Sequence, residues 1–150
     1  MGIFSKAKKT ASKPSRHDLQ KALFIMGCAV AMADGVADES EIIKMEAVAA
    51  RMPLFFNNTT EQDTAVMHEA GTMYDEGARP AVEWAIDILQ YENWRVVAVC
   101  FMCEIVMADG QIDKGEMDVL NDICDALKID IDIAQAIFNT FKAYYQQYEG

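Results

Sequence analysis

Little in this chain would interrupt a helix. Three prolines and eight glycines are spread over its 150 residues, and Ala, Met, Leu, Glu and Asp make up most of the body, so helices are favoured over sheets. Only two histidines occur, His17 and His68, far apart and without an E-x-x-H partner, which removes the di-iron carboxylate bundle from consideration. No serine sits in a nucleophile elbow, no glycine-rich loop opens a helix for phosphate, and no separate acid and base pair stands out. Catalysis has no visible apparatus, and the chain reads as a non-enzyme.

Long apolar runs are missing too. The longest uncharged stretches, 22–33 and 96–103, are too short to cross a bilayer and read as buried core helices. The N-terminus lacks the apolar core of a secretory signal, and Cys28, Cys100, Cys103 and Cys124 all fall inside apolar runs, which points to a reducing cytoplasm. Cys100 and Cys103 form a C-x-x-C, but within an apolar helix and with no second pair at zinc spacing, so core packing is the expected role. A redox enzyme acting on heavy-element oxyanions through them is the remotest reading. The ten methionines fall mostly on inward helical stripes and read as core.

Basic charge is scarce outside one place. Lys6, Lys8, Lys9, Lys13, Arg16 and Lys21 crowd the start against a lone Asp18, so the remainder is more acidic than the net charge of -11 for the whole chain. Such a surface repels phosphate backbones, which excludes nucleic acid as a partner of the body. Residues 1–16 read as a basic flexible tail, with weak contact at an anionic membrane surface as its alternative role, and 17–150 as one helical domain. The start Met1-Gly2 lacks the Ser or Thr at position six that N-myristoylation wants.

Within the domain, apolar periodicity predicts seven helices in a single bundle. The first runs from Asp18 to Asp34, ended by Gly35. The second starts at Asp38, carries Ile42, Met45, Val48, Ala49 and Met52 inward, and stops at Pro53. Thr59 or Thr60 caps a third, which Gly77 closes, and Pro80 sits at the start of a fourth. The fifth, from about Trp94 to Asp109, is as apolar as the first. The sixth spans Asp113 to Leu127, and the seventh, Ile131 to Tyr148, turns Ile133, Ala136, Ile137, Phe141 and Tyr144 or Tyr145 inward.

One pattern occurs twice: M-A-D-G-x-x-D-x-x-E runs from Met32 to Glu41 and again from Met107 to Glu116. The flanking apolar residues keep phase, since Cys28 and Val30 map to Cys103 and Ile105, and Ile42, Met45, Val48 and Met52 map to Met117, Leu120, Ile123 and Leu127. A helix-turn-helix unit used twice, in a bundle with internal pseudo-two-fold symmetry, is the expectation. Capping explains much of each turn, because Gly35 and Gly110 suit a helix end, Asp38 and Asp113 an N-cap, and Glu41 and Glu116 the third place of a capping box. It does not explain Asp34 and Asp109, read as lying at the negative ends of their helices.

A cation would relieve that cost. Aligned on the calcium loop of an EF-hand, each turn offers ligands at the fifth, ninth and twelfth places, while Val30 and Met32, or Ile105 and Met107, occupy places that should ligate. Neither turn is an EF-hand. If symmetry brings them together, Asp34, Asp38, Glu41, Asp109, Asp113 and Glu116 form one oxygen-only site for calcium, magnesium or manganese rather than zinc. Capping alone, with an acidic face that docks a basic partner, is the alternative.

With these turns and seven helices, the chain resembles the TerB tellurite resistance family. The specific part is the pair of D-G-x-x-x-x-x-E turns, Asp34 to Glu41 and Asp109 to Glu116. The resemblance implies an all-helical pseudo-symmetric fold, cytoplasmic residence that extends to the inner membrane face, and a part in resistance to tellurite and other stresses. It implies as partners other proteins of the same resistance system, membrane-embedded ones among them. It also implies a divalent cation on the six acidic residues named above. Lys114 and Gly115 depart from an acid-rich second turn and predict a looser helix start there. Glu104, inside the apolar fifth helix, has no assignable role from sequence; a buried base such as Lys44 would suit it.

Overall fold

Ser15 opens the first helix by accepting a hydrogen bond from the Asp18 N–H at 3.0 Å, and from that cap α1 runs over Arg16–Ala31. All of its residues from Ala22 onward are buried, as expected of a stripe that is apolar all round. This is a computed structural model, and it describes residues 4, 12–33, 39–107 and 112–149. The described residues form six further helices and one short 3-10 turn, Pro53–Phe55. The helices are α2 (Glu39–Ala50), α3 (Thr60–Glu76), α4 (Ala78–Ile88), α5 (Trp94–Met107), α6 (Lys114–Ala126) and α7 (Ile131–Tyr144). The all-helical expectation holds, and no strand occurs among the described residues.

Local chemistry sets most boundaries. Thr59 caps α3 in a full capping box: its hydroxyl accepts from Gln62 N–H at 3.2 Å, and the Gln62 side chain accepts from Thr59 N–H at 2.8 Å. Lys128 ends α6 with φ of 61, and Ile129 N–H reaches back to Cys124 O at 3.1 Å in a Schellman closure. Arg95 supports that end by donating to Leu127 O and Lys128 O, both at 3.2 Å.

α1 packs against α3, α4 and α5, and α5 packs against α7 and α6. Besides the α1–α5 contact, α2 lies on α5 and α6 on α1. At the centre, a Cβ on Gly27 would stand 2.5 Å from Met45 Sδ and 3.1 Å from Phe101 Cε2, so a side chain there would displace the Met45 thioether and press on the Phe101 ring. One turn earlier the Phe24 ring meets Phe55 at 5.2 Å and Phe101 edge-on at 6.4 Å.

Four expectations need correction. α1 stops at Ala31 with Met32 as its cap, so Asp34 follows the helix rather than ending it. Ile42 is 38% exposed, leaving Met45, Val48 and Ala49 as the buried stripe of α2. On α7, Ile133 and Ala136 are exposed, whereas Ile137, Phe141 and Tyr145 pack on the core as expected, joined by Ala134 and Phe138. The same helix closes at Tyr144 rather than Tyr148. Apart from these four, Phe4, within the stretch expected to be a tail, is half-buried against the core.

Phe24 is fully enclosed, so Phe24→Ala is expected to lower unfolding free energy by about 3–5 kcal/mol in a urea titration. A loss under about 1 kcal/mol would mean the α1–α5 crossing is not the centre of the core.

Candidate metal centre

The second turn is described from Ile112 onward. Asp113 caps α6, its carboxylate accepting from Glu116 N–H at 3.0 Å, and Glu116 follows at the third helical position. Lys114 turns away to pair with Asp118 at 2.9 Å, so its charge is engaged along the helix. The start of α6 is capped with Gly115 at its second position. In the first turn, Glu41 stands at the third position of α2, half-buried, with Oε2 shielded from solvent. Asp34, Asp38 and Asp109, together with Gly35 and Gly110, lie outside the described residues.

Gly115 also reports how close the two turns come. A Cβ on it would lie 3.0 Å from Asp113 Oδ1 and 4.0 Å from the Ala33 carbonyl oxygen. Ala33 is the last described residue before Asp34, and its N–H bonds back to Val30 O at 3.2 Å. The end of the first turn's leading helix therefore touches the first turn of α6. Among the described residues, no group of three or more His, Cys, Asp or Glu side chains is placed to hold a metal ion.

Glu104 does have a base beside it, though not Lys44. Arg51 Nη2 donates to Glu104 Oε2 at 2.6 Å, and the Tyr145 hydroxyl donates to the same oxygen. One carboxylate thus ties the end of α2 and the cap of α7 to α5. Its side chain is only 18% exposed, so both bonds are charge-assisted in a partly dry setting.

The family model described as "Tellurite resistance protein TerB" matches residues 20–138. The chain belongs to the TerB family. No curated protein and no solved structure matches it. The match spans both acidic turns and all seven helices, the last up to residue 138. No helix among the described residues is long and apolar enough to cross a membrane.

The four thiols of this TerB-family chain are held in protonated form. Burial, with Asp75 nearby, pushes Cys28 up to about 11. Burial, then Cys124 and Cys100, pushes Cys103 up to about 12, and burial alone takes Cys124 to about 11. Cys100 is also raised, by burial and then by Glu104. A thiolate is the reactive species, so the C-x-x-C lacks the electronics of a redox pair.

Two features escaped sequence reasoning. Gln20 is a buried polar side chain, 3% exposed, that donates to Leu54 O at 2.8 Å and fastens the loop after α2 to α1. A second is a cleft lined by Met32, Met45 and Met67, residues whose spacing marked them only as core.

Tyr145 is pushed up to about 12, by burial and by its bond to Glu104. Each raised group stabilises the fold below its ordinary value, 9.0 for a thiol and 10.0 for a phenol, and loses that contribution as pH rises through the shifted one. Stability is therefore expected to be flat near neutrality and to fall between about pH 9 and 12, with Tyr145→Phe shallower above about pH 10. Denaturant midpoints at stepped pH check this; a steep loss below pH 8 would contradict it. In the native protein at neutral pH, a thiol reagent should label Cys100, the most exposed of the four, ahead of the other three.

Proposed function

We propose that this TerB-family protein is a non-enzymatic cytoplasmic module of tellurite and stress resistance that binds one divalent cation between its two acidic turns and docks partner proteins of a membrane-associated complex. The observation that carries the reading is the approach of Gly115 to the Ala33 carbonyl, which sets the chain entering the first turn against the start of the helix leaving the second. That approach supports the reading that carboxylates of both turns share one ion, whose oxygen ligands would sit at about 2.3–2.6 Å. Asp34, Asp38, Glu41, Asp109, Asp113 and Glu116 are the proposed ligands, with calcium, magnesium or manganese as the ion. The crosswise packing of α2 on α5 and α6 on α1 supports the internal repeat on which that sharing depends.

A metal-free adaptor is the second reading. It is favoured by one observation, the use of Asp113 as the α6 cap. An acidic face that docks a basic partner then needs no ion.

Thermal melts with and without calcium, magnesium or manganese separate the two. An ion at about 100 times its Kd stabilises the folded state by about 2.7 kcal/mol, which for a chain of this size raises Tm by about 5–10 °C. Asp34→Asn with Asp109→Asn is expected to remove the shift without lowering the metal-free Tm. No shift at millimolar ion would leave the adaptor.

A further inference from the structure

The cleft between α1, α2 and α3 has a volume of about 460 Å³. Its apolar lining includes Cys28 and Met32 from α1, Ile42 and Met45 from α2, and Met67 from α3. Ile42, one of its lining residues, is 38% exposed, a large apolar side chain with water on one side. Of the lining residues, only Glu46 and Asp75 carry formal charge at neutral pH with histidine neutral, and no lysine or arginine is among them. The cleft follows α3 from Thr64 to Asp75, about 16 Å at the rise of a helix.

A second cleft of about 460 Å³ lies between α5, α6 and α7, and it is lined by corresponding positions. Cys28, Ile42, Met45 and Glu46 are answered by Cys103, Met117, Leu120 and Asn121, each seventy-five places on. From α3, Thr64, Met67, His68 and Gly71 are answered on α7 by Ile131, Ala134, Gln135 and Phe138, each sixty-seven places on. The pair differs where it matters for an occupant. The first cleft has three methionines and, at Gly71, no side chain at all, with open space where a Cβ would stand. The second places the Phe138 ring at that position.

We propose that the methionine-lined cleft between α1, α2 and α3 docks a basic amphipathic helix of a partner protein. Methionine side chains are unbranched and polarizable and repack around varied apolar anchors, which suits a groove that receives a helix. Three turns of α3 give the length that anchors at i, i+4 and i+7 require. The acidic rim, with no lysine or arginine to oppose it, selects a helix with lysine or arginine on either side of its apolar face. This names the surface and the partner chemistry for the docking part of the proposed function, and it is independent of the cation.

The test uses the full chain in EDTA and a fluorescent synthetic helix of leucine and lysine about five turns long, read by polarization. A control peptide keeps every lysine and replaces leucine by alanine. The leucine peptide is expected to bind at least about ten-fold tighter than the control, a difference of about 1.4 kcal/mol. Gly71→Phe places a ring where there is now open space and also removes a helix-interior glycine, so it should melt no lower than the parent yet bind at least about ten-fold more weakly. Glu46→Lys with Asp75→Lys, two exposed positions, should weaken binding at low salt and serves as the second variant if Gly71→Phe misfolds. Equal binding of the two peptides, or a well-folded Gly71→Phe that binds as tightly as the parent, would overturn the proposal. So would sedimentation showing that the cleft is covered by a second copy of the chain, released by Gly71→Phe.

Discussion

The crossing of α1 and α5 governs the rest of the molecule. Both helices are apolar nearly all round, so each must be covered on every side, and they can touch closely because Gly27 has no side chain between them. Met45 Sδ and the Phe101 ring fill the place a Cβ would take, which brings α2 onto the same crossing. With the two apolar helices side by side, α2 covers α5 and α6 covers α1. The Ala33 carbonyl, just before the first turn, is thereby brought next to the start of α6, just after the second.

On the proposed reading two carboxylate-rich turns meet in a chain of net charge -11, which raises its electrostatic free energy unless something positive balances them. Elsewhere several acidic groups have a local partner: Glu104 has Arg51 and Tyr145, Glu69 has His17 at 3.0 Å and Lys21 at 4.0 Å, and Asp118 has Lys114. Lys114, the base nearest the second turn in sequence, is committed to Asp118 and not to the turn. A bound cation is the proposed balance there, and its absence would raise local repulsion without unfolding a core built on apolar burial.

Much of this was legible in the sequence because it is local. Thr59 with Gln62, Asp113 with Glu116, and Pro53 announce their boundaries through chemistry within three or four residues, and the all-helical composition and the doubled turn led to the TerB family directly. The face of α7 was misread in part because that helix carries apolar residues on several sides, so Ile133 and Ala134 compete for the inward place and only the packing on α5 decides. Glu104 was unassignable for a different reason: Arg51 and Tyr145 are more than forty positions away on either side, and only the fold brings them together. Asp34, read as the last residue of its helix, follows a cap at Met32, so its case for a cation rests on the meeting of the turns and no longer on the helix dipole.

The shared site makes a claim about number that a melt does not read. Manganese titrated into the protein and followed by electron paramagnetic resonance counts bound ions per chain. One ion per chain is expected, lost alike in Asp34→Asn alone and in Asp109→Asn alone, because both turns hold the same ion. Two ions per chain, each sensitive only to its own turn, or no bound manganese at millimolar concentration, would contradict the account.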